Sequence, residues 1–117
     1  MNQRGMSESV QWAVLGTAFL VGLLGLVEAG LVLHARTVVV QAALAGADAQ
    51  AAWRAAPGQG LQTAREVATA GGLTAVQVDV AVSSTGVTVT VQGDGPTLVG
   101  WLTPHVKAST TRPLEAP

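Results

Sequence analysis

Between Trp12 and Leu33 the chain reads WAVLGTAFLVGLLGLVEAGLVL, with one ionisable side chain, Glu28. As a helix rising about 1.5 Å per residue, this run reaches roughly 33 Å, enough to cross a hydrocarbon core of about 30 Å. A helix that is apolar all round needs either lipid or a large protein around it. The chain has 117 residues, too few to supply the second. The run also exceeds the usual apolar core of a secretory signal, about 7–15 residues, and the helical pattern continues through His34-Ala35-Arg36. It therefore reads as a transmembrane helix that the protein keeps.

Charge sets further limits. Only 11% of residues are charged, and six Lys/Arg against seven Asp/Glu leave a net charge of −1. That balance offers no electrostatic footprint for nucleic acid. Cysteine is absent, which excludes disulfides, thiolate catalysis and cysteine-built metal sites.

The helix does not stop at the membrane edge. His34 to Ala56 is Ala-rich, free of proline, and interrupted only by Gly46. Alanine is the best helix former, so one helix is expected from about Ser9 to Ala56. Pro57-Gly58 then ends it. Within the apolar run, Ala18 and Gly22 form one small-residue pair at four-residue spacing, and Gly25 and Ala29 another. Such spacing lets helix backbones approach closely in lipid. Glu28 lies about one and a half turns from the Leu33 end. It either reaches the interface or pairs with a cation on a neighbouring subunit.

Leu61–Ala70 carries one apolar stripe and is followed by Gly71-Gly72, the pattern of a short helix and its stop. Val76–Ser83 and Val87–Gln92 alternate valine with polar residues across a Ser84-Thr85-Gly86 turn, which reads as a β-hairpin. Gly93-Asp94-Gly95-Pro96 breaks the chain. Thr97–Thr103 is an apolar connection that could form a helical turn, with Trp101 packed over the sheet or the helix. His105–Thr111 is a third strand, and residues 113–117 are a tail, since proline cannot donate to a ladder. The fold class is α+β: a long N-terminal transmembrane helix continuing into a small head with a short helix and a three-stranded antiparallel sheet.

No arrangement of side chains carries catalytic chemistry. His34 and His105 are far apart in sequence and fit solvated or helix-capping roles better than a metal site. No Gly-x-Ser-x-Gly turn surrounds any serine. Gly93-Asp94-Gly95-Pro96 lacks the lysine and helix start of a phosphate loop. Asp79 falls on the polar face of a strand. The expectation is a non-enzyme with no catalytic or metal-ligating residues, no cofactor, no small-molecule substrate and no nucleic-acid partner.

The first residues add a motif. Asn2-Gln3-Arg4-Gly5 is a short leader with one basic residue. It precedes a polar stretch, Met6-Ser7-Glu8-Ser9-Val10-Gln11, and then the apolar run. This resembles a type IV prepilin signal. The remainder is similar to the TadE-like family of minor pilins or pseudopilins of tight-adherence (Flp) pilus systems, in which an anchor helix leads into an Ala-rich segment and alternating Val/Thr strands. Val106–Arg112 followed by Glu115 resembles the closing strand of that family. The resemblance implies cleavage after Gly5 by a membrane prepilin peptidase, leaving Met6 as the new N-terminus. It implies an N-terminus in the cytoplasm, a head outside the cytoplasmic membrane, and assembly with other pilin subunits and an assembly platform, with an extracellular pilus as one destination. Pilins usually carry Glu at the fifth mature position. Counted from Met6 that residue is Val10, with Glu8 third and Gln11 sixth. Glu8 could meet a neighbour's amine only in a shifted register, and Gln11 offers a hydrogen bond without charge. A minor subunit tolerates that departure better than a major one.

The implied organisation is a leader (residues 1–5), a polar start and transmembrane helix (6–33), an extramembrane continuation of the helix (34–56), a head (57–112) and a tail (113–117). The assembly residues are Glu8, Gln11, Ala18, Gly22, Gly25, Glu28 and Ala29. A different reading stays open: a membrane-anchored extracytoplasmic binding or accessory module, with a plain anchor and no processing.

Overall fold

The computed structural model describes residues 3–115, with side chains from Ser7 onward. Met1 and Asn2 of the expected leader, and Ala116 and Pro117 of the expected tail, lie outside the described residues. The elements are helix α1 (Gln3–Ala51), helix α2 (Gln59–Ala70), and strands β1 (Thr74–Val82), β2 (Gly86–Asp94) and β3 (His105–Pro113). The fold is α+β, as expected, with a three-stranded antiparallel sheet in the order β1-β2-β3. The chain divides into two compact units, one up to Gly30 and one from Leu31.

The first unit is the N-terminal part of α1. Every described side chain from Ser7 to Gly30 is exposed except Glu28, which is half-buried. In water so many apolar side chains would be left uncovered; in lipid they are at home. The Thr17 hydroxyl donates to the Ala13 carbonyl at 2.8 Å, so this polar group is satisfied within the helix. Helix α1 is long and apolar enough to cross a membrane once.

The second unit has a core of its own. On α1, Ala35, Val38, Val39, Ala42, Ala43, Ala47 and Ala51 are all buried. Their spacings of three and four residues make one continuous helix face. That face packs with Ala64 and Ala68 of α2, Leu73, and the sheet valines Val78, Val87, Val89, Val91 and Val106. Val87, Val89 and Val91 point inward from the central strand and are fully buried. The opposite face of the sheet is polar and cross-linked: Thr88 with Thr111 at 2.9 Å, Thr90 with Ser109 at 3.1 Å, and Gln92 Nε2 donating to Gln77 Oε1 at 2.9 Å.

Gly46, a weak point by propensity, is required by packing. A Cβ there would stand 2.8 Å from the Ala64 Cβ and 2.9 Å from the Gly60 carbonyl oxygen. The crossing of α1 and α2 is therefore a backbone-to-backbone approach that only small residues permit.

Several boundaries differ from the sequence reading. Helix α1 ends at Ala51, not Ala56. The Gln50 side chain accepts from the Gly60 N–H at 2.9 Å and donates to the Ala56 carbonyl at 3.4 Å. The Ala51 carbonyl accepts from the Glu115 N–H at 2.9 Å, and the Trp53 N–H donates to Glu115 Oε2 at 3.4 Å. Arg54 takes a left-handed φ of 66°. Tertiary partners thus satisfy the helix end that alanine propensity would have extended. The expected helical turn at Thr97–Thr103 is a single turn, closed by the Leu102 N–H donating to the Val99 carbonyl at 2.9 Å. Trp101, expected as packing, is 82% exposed. Strand β3 runs on to Pro113, opposite Gly86; it is an edge strand, where a missing donor costs no ladder bond.

Because the core draws only on residues from Ala35 onward, a fragment of residues 31–117 should fold without detergent and melt cooperatively in circular dichroism. In that fragment Gly46→Val should lower stability by about 2 kcal/mol, roughly 10 °C in Tm. Gly100→Ala, where an added Cβ meets nothing within 4 Å, should be neutral.

Candidate functional site

The candidate site is the exposed surface of the first unit. Gly5 and Met6, the expected cleavage pair, fall in the opening turns of α1. Glu8 and Gln11 are exposed about half a turn and one and a half turns beyond Met6. At about 100° per residue, Ala18, Gly22, Gly25 and Ala29 fall within an arc of about 60°, and Gln11 falls on the same arc. Glu8 lies about 40° beyond one edge of the arc and Glu28 about 60° beyond the other. All four small residues are exposed. A Cβ added at Gly22 or Gly25 would meet nothing within 4 Å. The glycines here answer to no contact inside the first unit, in contrast to Gly46.

A smooth strip of this kind lets another helix approach closely, so that dispersion and Cα–H contacts replace lipid contacts. The carboxylates flank the strip rather than occupy it.

The remaining polar residues make local contacts on the surface of the second unit. His34 Nε2 donates to the Gly71 carbonyl at 3.1 Å, capping the C-terminal end of α2. His105 lies 3.1 Å from Asp94 Oδ1 through Nδ1 and 3.2 Å from Gln92 Oε1 through Nε2. The second ion pair joins Arg112 to Asp48 at 3.1 Å on the surface, a contact worth little on its own. Asp79 is exposed. Among the described residues no ionisable side chain is buried and no group of three His, Asp or Glu could hold a metal ion.

Sequence reasoning missed two features. The Asp48–Arg112 pair joins residues distant in sequence, and nothing local marks it. The exposed loop around Trp101 has a local signal, a stretch with no charge from Gly95 to Pro104, which suits burial and lipid equally.

No curated protein and no solved structure matches the chain. A protein-family model does match, over a little more than a third of the residues. It starts at Met6 and takes in the exposed strip and most of the buried face of α1. Residues 6–48 match the family described as TadE-like protein, the family whose features the sequence resembles.

Proposed function

We propose that this chain is a structural subunit, a minor pilin or pseudopilin of a Tad-type, type IV-related pilus or secretion apparatus, and not an enzyme. The observation that carries the reading is the TadE-like match over residues 6–48, which coincides with a helix whose side chains from Ser7 to Val27 are bare. In this reading Arg4 keeps the N-terminus in the cytoplasm, and the head lies on the far side of the cytoplasmic membrane. A prepilin peptidase cuts after Gly5. The helix from Met6 onward then serves first as a membrane anchor and later as the surface that packs against other pilin subunits on the assembly platform.

The strip of Ala18, Gly22, Gly25 and Ala29 is the helix–helix contact. Glu8 supplies a negative charge beside it for the amine of a neighbouring subunit's Met6. Removing that amine's charge from water without a partner would be costly in lipid, so a carboxylate near the N-terminus has a physical purpose even at the third mature position. Glu28 flanks the strip on the other side, near the membrane edge.

Intact-mass analysis of the protein from its native membrane tests processing. Loss of the Met1–Gly5 mass is expected only where the peptidase is present. Gly5→Leu should retain the full mass in both strains. A full-length wild-type product in both strains would overturn processing and leave the unprocessed anchored module. For assembly, Gly22→Leu with Gly25→Leu should leave the Tm of the head unchanged, since no contact in the fold is touched, while lowering helix–helix cross-linking in the membrane by about tenfold, equivalent to about 1.4 kcal/mol. Unchanged cross-linking would remove the strip from the interface.

A further inference from the structure

The loop joining β2 to β3 places apolar side chains in the open. Leu98, Trp101 and Leu102 are 57%, 82% and 52% exposed. No charged residue occurs from Gly95 to Pro104. A soluble head gains nothing from exposing a tryptophan and two leucines together.

The position of the loop within the head gives the reason. Its stem is closed by the Gly95 N–H donating to the Pro104 carbonyl at 2.8 Å. A Cβ at Gly95 would stand 2.7 Å from the Ala35 Cβ, so the stem lies directly on Ala35. Ala35 is two residues beyond Leu33, the end of the apolar run. The opposite end of the head is marked by Ala51, whose carbonyl holds Glu115, and by Trp53. About 24 Å of helix separates Ala35 from Ala51.

The same end of the head carries two cations, Arg36 and Lys107. Arg36, His105 and Lys107, with Val39, Val40 and Val106, line a cavity of about 380 Å³. Asp94 is the carboxylate beside them, and it is held by His105. Tryptophan and leucine at headgroup depth, with Lys and Arg beside them, are the side chains that a membrane interface accepts.

We infer that the loop from Gly95 to Pro104 is a second membrane contact. Leu98, Trp101 and Leu102 enter the headgroup layer where α1 leaves the membrane, and Arg36 and Lys107 face the phosphates of anionic lipids. The inference rests on α1 crossing the membrane. The loop would fix the head on the bilayer before assembly, and extraction of the subunit would have to release it.

The three tryptophans make the test. Full-length variants that each keep one tryptophan, the other two replaced by phenylalanine, are placed in phosphatidylcholine–phosphatidylglycerol vesicles with brominated acyl chains. Trp12 reports the span, Trp101 the loop and Trp53 the far end of the head. Strong quenching of Trp12, little of Trp53, and quenching of Trp101 at least about twofold above Trp53 is the expected result. Arg36→Glu with Lys107→Glu should bring Trp101 down towards the Trp53 level in these vesicles. Trp12 quenched with Trp101 no different from Trp53 overturns the loop contact while leaving the span intact. Trp12 unquenched overturns the span, and the loop contact with it. A Trp101 emission that follows the protein-to-lipid ratio rather than bromine places the loop against a second copy, which also overturns the inference.

Discussion

The close crossing of α1 over α2, where Gly46 meets Ala64 and Gly60, sets what the rest of the head can be. Alanine buries little apolar area, and the α1 face from Ala35 to Ala51 is mostly alanine. At about 25 cal/mol per Å² of buried apolar surface, such a face stabilises only if every element lies tight against it. Small residues at the crossing allow that, and the fully buried Val87, Val89 and Val91 of β2 fill the other side. No aromatic ring takes part: Trp12, Phe19, Trp53 and Trp101 are all exposed. The core is thin and close, and a single added methylene at the crossing has nowhere to go.

The element order, the hairpin and the third strand were legible because each depends on a local pattern. Valine alternating with threonine on β2 is the pattern of a half-buried strand, and the proline-free alanine run from His34 favours helix. What the sequence concealed depends on partners brought from far away. The end of α1 at Ala51 is decided by Glu115 and Gln50, and the first of these is sixty-four residues away. Gly46 looked like a defect because propensity counts the cost of glycine and not the clash it avoids. Trp101 looked like packing because an apolar residue near a small sheet is usually beneath it.

For the candidate site the position is similar. The spacing of the small residues Ala18, Gly22, Gly25 and Ala29 was legible because a helix keeps its 3.6-residue geometry without tertiary help. It could not say which glycines were free. The structure separates them: Gly22 and Gly25 meet nothing, while Gly46 is closely enclosed. One residue type in one helix thus answers to two different demands.

That division has a physical consequence for the helix as a whole. Up to Gly30 no side chain belongs to the core, and any small residue on the strip leaves the fold untouched. From Ala35 to Ala51 each position has to fit the core and keep the helix continuous. The TadE-like match extends from Met6 across both stretches and stops at Asp48, three residues before α1 ends and before any strand begins. The sheet is free of that match. Its inner face is constrained by the alanine surface that it covers. Its outer face carries paired hydroxyls and amides whose hydrogen bonds are met across the strands. Surface of that kind tolerates change, because replacing one satisfied, exposed polar pair with another leaves no buried group unpaired. The helix is therefore where sequence is held by physics twice, by the medium and by the core, and the outer sheet is where a chain of this build can vary without losing its fold.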